Sequence, residues 1–321
     1  MLIYFELLIS SFILTYVIKE HAIKNALMAE VNERSSHCIA TPHGGGIAIV
    51  ITWFFGLFTL HVSHQIDTKL FYALLVGIVI SVVSYLDDLY ELSAKLRLLV
   101  QSGVALGGLA ILGGLNSIDL GFYTIYNQFL TNFLALFLLV WFIILYNFLD
   151  GIDGYAGSET IFLALAGFLL FGGAHFIVLG VAVLGFLIWN WQRAKIFMGD
   201  VGSTLLGYNV AIFTIYYADK ASANLWIWII LFGVFWFDAT LTLFRRFKNK
   251  EKLSQAHRKH AYQRLTQSGW SHQKVVLASI MINLILLAIV YFVPKIFFAF
   301  AISLVVLYLT ILFVDRKKGF E

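Results

Sequence analysis

Leu130-Thr-Asn-Phe-Leu-Ala-Leu-Phe-Leu-Leu-Val-Trp-Phe-Ile-Ile-Leu-Tyr-Asn147-Phe-Leu-Asp150-Gly-Ile-Asp153-Gly154 joins two kinds of chemistry with no linker between them. Its first twenty residues, 130–149, are almost wholly apolar. At about 1.5 Å per residue a helix of that length reaches about 30 Å, the thickness of a bilayer's hydrocarbon core. The run then ends on two carboxylates among glycines, with Asn147 still inside it, and an amide at that depth is costly in lipid unless it is used. A spanning helix that delivers polar groups to a membrane face is the reading this stretch compels.

Working outward, the same kind of segment recurs at 2–18, 44–61, 69–86, 98–115, 159–171, 174–190, 204–217, 225–243, 274–293 and 296–314. The predicted fold is all-α: a polytopic integral membrane protein with about 10–11 transmembrane helices, the pair at 159–171 and 174–190 being divided only by Gly172-Gly173. Composition agrees, since 60% of residues are hydrophobic and 12% charged, where a soluble domain carries about 25% charged residues. With two prolines, no fixed-period repeat and no polar linker, residues 1–321 read as one transmembrane domain. One cysteine, Cys38, excludes an intrachain disulfide. The first segment has no basic n-region and reads as a retained span. Asn116 to Asn127 suits an amphipathic segment or a small β-element.

With the N-terminus outside, 19 of the 22 Lys and Arg residues fall in the cytoplasmic loops and tail, leaving Lys69, Lys220 and Lys295 on the other side. This is the asymmetry of the positive-inside rule. Five of the ten aspartates, Asp87, Asp88, Asp150, Asp153 and Asp200, then lie at helix ends facing the cytoplasm.

Adjacent carboxylates at Asp87-Asp88 need a cation or a shared proton, and Lys95 and Arg97 follow. In Asp150-Gly-Ile-Asp153-Gly the glycines let the backbone approach a ligand, and a helical turn would put the two acids on one side. Phe197-Met-Gly-Asp200-Val-Gly-Ser203-Thr204 opens an apolar helix, where Asp or Ser serves either as a cap or, beside free N–H groups, in holding a cation and a diphosphate together. Asp238 sits within an apolar segment, paired with Arg245 or a nearby hydroxyl, or beside the site. His257-Arg258-Lys259-His260 suits phosphate or anionic lipid head groups. The histidine spacings do not suit zinc.

Asp87-Asp88, Asn147-x-x-Asp-Gly-Ile-Asp153-Gly, Phe197-Met-Gly-Asp-Val-Gly-Ser203 and His257-Arg-Lys-His260, in that order on one membrane side, resemble the polyprenyl-phosphate N-acetylhexosamine-1-phosphate transferases, glycosyltransferase family 4. The resemblance covers about Asn32 to Tyr262. Asn32-Glu-Arg-Ser-Ser-His37 followed by Thr41-Pro-His-Gly-Gly-Gly46 looks most like the O-antigen-initiating branch, in which a proline precedes Asn32 and an Arg stands where His43 does here. The resemblance implies transfer of an N-acetylhexosamine-1-phosphate, GlcNAc or a 6-deoxy sugar such as FucNAc or QuiNAc, from a UDP-N-acetylhexosamine to undecaprenyl phosphate. UMP leaves, and O-antigen or another envelope polysaccharide is begun.

The same resemblance implies roles. Asp200 is the Mg²⁺ ligand, with Mn²⁺ as a substitute, and Asn147 lies near the metal. Asp87 deprotonates the lipid phosphate with Asp88 as its partner, and Asp150 and Asp153 line the site. Phe197 stacks on uracil and Asn190 reads the base. Lys95, His257, Arg258 and His260 hold phosphates. It further implies a bacterial inner membrane location, no nucleic-acid partner and a homodimer among the expected assemblies. Attack is either direct or passes through an aspartyl intermediate. The rival class is a secondary transporter, whose acids would lie near the bilayer midplane between structural repeats.

Overall fold

The structure is a computed structural model and describes residues 2–25, 27–29, 40–90, 92–253, 255 and 257–320. The Asn32–His37 motif therefore lies outside the described residues.

In chain order the elements are α1 (Leu2–Lys24), β1 (Met28–Ala29), β2 (Thr41–Pro42), α2 (Gly46–Val62), α3 (Thr68–Leu75), α4 (Gly77–Tyr90), α5 (Ala94–Leu112), β3 (Ile118–Asp119), β4 (Thr124–Ile125), α6 (Gln128–Phe148), α7 (Tyr155–Phe171), α8 (Ala174–Asn190) and α9 (Asp200–Lys220). They continue as α10 (Ala223–Leu231), α11 (Gly233–Lys248), α12 (Ala261–Gln267), α13 (His272–Phe292) and α14 (Ile296–Lys317). Helices dominate because hydrocarbon offers no partner for backbone N–H and C=O groups, which a helix satisfies internally. Side chains just outside several starts take the leftover N–H groups: Asp67 accepts from Lys69 and Leu70, Ser93 from Leu96, Asn127 from Leu130 and Ser271 from Lys274.

Each of the eleven apolar segments is a helix or a helix pair. Six are long and apolar enough to span unaided: α1, the α3–α4 run Thr68–Tyr90, α5, α6, α13 and α14. Helices α2, α7 and α8 are apolar but have 17 residues each, at the short end of what crosses a bilayer. The segment expected as one helix over 225–243 is instead broken, α10 and α11 meeting at Phe232 with a bend of 75°. Gly172 and Gly173 do separate α7 from α8, with φ of +71° and +103°. The small β-element is real: β3 pairs antiparallel with β4, Ile118 opposite Ile125, and a second hairpin joins β1 to β2.

Helix α9 is the axis of the fold. Nearly every residue from Val201 to Ala218 is buried, against α2, α4, α5 and α6 among others. Small residues permit this: a Cβ on Gly46 would lie 2.6 Å from the backbone of Gly202, so α2 crosses the start of α9 at backbone contact. One buried core continues from α1 to α14. The loops at the start of α9, α7 and α13 all emerge on the same face, and the candidate residues gather there.

Candidate functional site

The acids converge on the first turn of α9. Asp88, from the last turn of α4, accepts at Oδ1 from the Asp200 amide (3.3 Å), so one helix caps another. Its Oδ2 is buried and takes no hydrogen bond among the described residues. Gly199, at φ +77°, makes room for it, because a Cβ there would stand 2.8 Å from Asp88 Oδ2. The Asn147 amide donates to Asp200 Oδ1 and to Ser203 Oγ, both at 2.9 Å. Asp87 accepts from the Leu92 amide at 2.7 Å and from Arg97 Nη1 at 3.1 Å. The same guanidinium reaches Asp200 Oδ2 at 3.8 Å. Thus Asp87, Asp88, Asn147 and Asp200 are assembled as one cluster, with Arg97 between two of its carboxylates.

Asp150 faces this cluster and Asp153 does not. Burial, then the negative charges of Asp200 and Asp88, push the Asp150 carboxyl from its ordinary 3.8 up to about 7. The segment between α6 and α7 is an irregular turn and not the helical turn expected from the three-residue spacing, so the two acids part. Asp153 Oδ2 accepts from the Ala194 amide at 3.2 Å and lies 3.2 Å from His272 Nδ1. Gly154, at φ +74°, turns the chain into α7 and donates from its N–H to Asn190 Oδ1 at 2.9 Å. The other end of that buried amide donates to the Ile196 carbonyl at 2.9 Å. Asn190 therefore ties the Asp150–Gly154 turn to the loop carrying half-buried Phe197, whose amide bonds to the Pro42 carbonyl at 2.8 Å.

A cavity of about 450 Å³ opens beside Asp200 and is lined by Arg97, Gln101, Asn147, His257, His260 and Gln263. Leu98, Ile144 and Phe148 give it an apolar wall. Its loop side is built by Arg246, which is 2% exposed, bonds Glu251 at 3.0 Å and donates to the carbonyls of Lys252 and Gln255. His260 is buried, its ring stacked over Tyr262 and its Nδ1 3.8 Å from Asp238 Oδ1. That same Asp238 oxygen accepts from the Ala261 amide at 2.8 Å and from Thr242 at 3.1 Å, the nearby hydroxyl, while Arg245 pairs with Asp315. Burial, then His260 and Arg246, hold the His257 imidazole down at about 3, with Glu251 pulling the other way. Arg258 is half-buried, its carbonyl accepting from Gln267.

Lys95 is exposed on α5, outside this cavity lining. Lys95 and Arg97 are two residues apart and so point away from each other on a helix. The phase set by Ser93 at the start of α5 turns Arg97, itself 43% exposed, toward Asp87 and Asp200. Arg97, Gln101, Gln263 and His272 were not among the candidate residues. His43 was not either; burial holds its imidazole low and Asp200 draws it upward, which places it near the cluster. Only Arg97 left a trace in the sequence, as a cation ten residues past Asp87. Among the described residues no three His, Cys, Asp or Glu side chains surround a common point. The donors gathered here are oxygens, and three carboxylates bear on one another with one guanidinium among them, a set suited to a hard divalent cation.

The fold is that of a polytopic membrane protein, and its carboxylates and cations gather where several of its helices begin or end. The family model described as Glycosyl transferase family 4 matches residues 70–218. Over 291 residues the chain is 32% identical to a protein of Bacillus subtilis named probable undecaprenyl-phosphate N-acetylglucosaminyl 1-phosphate transferase, spanning 87% of this chain and 80% of that one. It is 26% identical to an undecaprenyl-phosphate alpha-N-acetylglucosaminyl 1-phosphate transferase of Thermotoga maritima, over 86% of this chain and 87% of that one. A phospho-N-acetylmuramoyl-pentapeptide-transferase of Streptococcus pneumoniae is 31% identical over 62% of this chain and 65% of its own length. The chain belongs to glycosyl transferase family 4, the polyprenyl-phosphate N-acetylhexosamine-1-phosphate transferases.

Proposed function

We propose that this protein transfers N-acetylglucosamine-1-phosphate, or the 1-phosphate of a 6-deoxy-N-acetylhexosamine such as FucNAc or QuiNAc, from the UDP-sugar to undecaprenyl phosphate. UMP is released, and O-antigen or another envelope polysaccharide is begun at the cytoplasmic face of a bacterial inner membrane with the N-terminus outside. The observation that carries this reading is the meeting of Asp87, Asp88, Asn147 and Asp200 beside a cavity with phosphate-suited side chains on one side and an apolar wall on the other. A lipid phosphate needs both surfaces: cations for its head and hydrocarbon for the first units of its tail. The names of the Bacillus subtilis and Thermotoga maritima relatives favour N-acetylglucosamine. A site confined to one membrane face, and not set at the midplane, gives the transporter alternative no support.

In the proposed reaction an oxygen of the lipid phosphate bonds to the β-phosphorus of the UDP-sugar, the bond to the bridging oxygen breaks, and UMP leaves with that oxygen. Asp87 receives the lipid phosphate's last proton, which has a pKa near ~6 and so needs no strong base. Arg97 holds Asp87 in place and spreads the charge that develops on the phosphoryl oxygens. His257 and His260 face the lipid phosphate from the loop side, and Arg258, outside the cavity lining, adds its charge beside them. Asp150 lines the site beside the Asp88–Asp200 cluster and Asp153 the nucleotide side, Phe197 offers a ring face to the base, and Asn190 frames the loop that presents it. The orphaned Asp88 Oδ2 and the raised Asp150 carboxyl mark a surplus of negative charge that Mg²⁺, or Mn²⁺ in its place, fits. Asp200 and Asn147 would hold that ion, which when bound neutralises diphosphate oxygens and polarises the phosphorus.

The test is UMP release from UDP-sugars by the purified protein with undecaprenyl phosphate, with and without Mg²⁺. Release that requires both the lipid and the metal is expected. If the folded protein releases UMP from none of the UDP-sugars offered, the reading fails.

A further inference from the structure

Along the seam between α7 and α13, polar contacts follow one another from the site into the membrane. His272 Nδ1 lies 3.2 Å from Asp153 Oδ2, Ser279 Oγ donates to Tyr155 Oη at 3.3 Å, and the Asn283 amide donates to Glu159 Oε2. Tyr155 to Glu159 and Ser279 to Asn283 are each one helical turn, as two helices running side by side in the same direction require. The buried stripe of α13 is Val275, Val276, Ser279, Asn283 and Leu286, so its polar members point at α7 and not at lipid.

The deepest pair is incomplete in an informative way. Glu159 is 2% exposed and Asn283 1%. Among the described residues no cation pairs with Glu159. Glu159 Oε1 and Asn283 Oδ1 are both buried without a hydrogen-bond partner. They are the two remaining atoms of a carboxyl and a carboxamide that already share one bond. An ionised carboxylate would leave two acceptors facing nothing and a bare charge inside a membrane, which is costly twice over. One proton on Oε1, donated to Oδ1, closes a two-bond ring and removes the charge.

We propose that Glu159 is held as the neutral acid in a reciprocal pair with Asn283, and that this pair is a positioning device for the nucleotide side of the site. It fixes the register of α13 on α7 and with it His272 against Asp153. Asp153 in turn accepts from the Ala194 amide, in the loop that carries Phe197. The predicted kinetic effect rests on the function proposed above; the pairing itself does not.

The test uses the full-length protein in detergent with Glu159→Gln, Glu159→Leu and Glu159→Leu combined with Asn283→Leu. A glutamine makes the same two-bond ring with Asn283 and keeps unfolding temperature and kinetics near wild type. Glu159→Leu strands the Asn283 amide, lowers the unfolding midpoint by about 2–4 °C and raises KM for the UDP-sugar about five-fold or more, with kcat nearly unchanged. The double leucine variant recovers the midpoint, since replacing both partners leaves nothing unmatched. Infrared difference spectra show a protonated-carboxyl carbonyl band that Glu159→Gln removes. A glutamine variant as damaged as the leucine variant, or no such band, overturns the neutral pair. An unchanged KM in Glu159→Leu overturns the positioning role. A wild-type protein inactive on all UDP-sugars would sink the transferase reading and still leave the midpoints and the band to decide the pairing.

Discussion

Asp150 is placed so that its charge works against the fold, and removing that charge gives a measurable stabilisation. Its carboxyl is pushed from 3.8 up to about 7, chiefly by burial and then by Asp200 and Asp88. In the unfolded chain the group ionises near 3.8; in the fold it keeps its proton until about 7. The unfolded state therefore binds fewer protons between those values, and stability declines as pH rises through that window and is flat above it. The full shift corresponds to about 4 kcal/mol at 1.36 kcal/mol per pKa unit. The side chain is only partly shielded from water, so about 2 kcal/mol is the working figure.

Asp150→Asn should thus raise the unfolding midpoint at pH 8, with a chelator present, by about 4 °C or more, and by clearly less at pH 5. Mg²⁺ added at pH 8 should stabilise wild type more than the variant, because the cation answers the same charge. Thermal unfolding in detergent, followed at both pH values, reads all three quantities. Equal midpoints for variant and wild type at pH 8, or a gain equal at both pH values, would refute the electrostatic account of the cluster.

Asp200→Asn or Asp87→Asn should leave the protein expressed and folded while turnover in the UMP-release assay falls about a thousand-fold; near-normal turnover in either removes its assigned role. Arg97→Ala leaves Asp87 and Asp200 facing each other and should cost about a hundred-fold or more in kcat/KM, whereas Lys95→Ala, on the exposed side of α5, stays within about three-fold. The reverse order would restore Lys95 as the phosphate contact. Gly199→Ala forces a Cβ against Asp88 at a backbone angle alanine resists and should destabilise by about 1–2 kcal/mol; a neutral midpoint in chemical denaturation would show that Asp88 is not fixed there.

The sequence showed what depends on composition and order, and hid what depends on phase. Apolar length is summed along the chain, so every apolar segment that forms a helix or a helix pair could be drawn, six of them long and apolar enough to span unaided. A 75° break at Phe232 left no such sum, since residues on both sides of it are equally apolar and Gly233 is the only punctuation. Helix α9 is long enough to span but not apolar enough to be counted among the unaided spans, and nearly all of it is buried, because a helix enclosed by other helices need not be lipid-soluble. In the site, Asp87, Asp88, Asn147 and Asp200 were found from residue type. His272 was not, because a lone histidine 119 residues from its partner backbone carries no local signature, and the choice of Arg97 over Lys95 was not, because two cations two residues apart look alike until the phase of their helix is known. Glu159 was hidden for a related reason: as the first residue of the apolar segment 159–171 it reads as an acid at a span end, and only the position of α13 shows that it is buried.

The charge of the site argues for an order of binding. Asp87, Asp88, Asp150 and Asp200 stand against Arg97 before any substrate arrives. A nucleotide diphosphate and a lipid phosphate then bring several further negative charges to a place where burial already pushes two carboxyls, Asp88 and Asp150, up to about 7. The imidazole of His257 relieves little of this, since burial and its cationic neighbours hold it neutral until about 3. Without an added cation the second anion to arrive meets a field that repels it, however well shaped the cavity. A divalent cation arriving with the diphosphate, held by Asp200 and Asn147, would reverse that field, and the lipid head, anchored laterally by its tail, would then be drawn in last. On this argument the apparent affinity for the lipid phosphate should depend on the UDP-sugar–metal complex. Lipid binding that is equally tight with the nucleotide and metal both left out would show that the four carboxylates do not set the order.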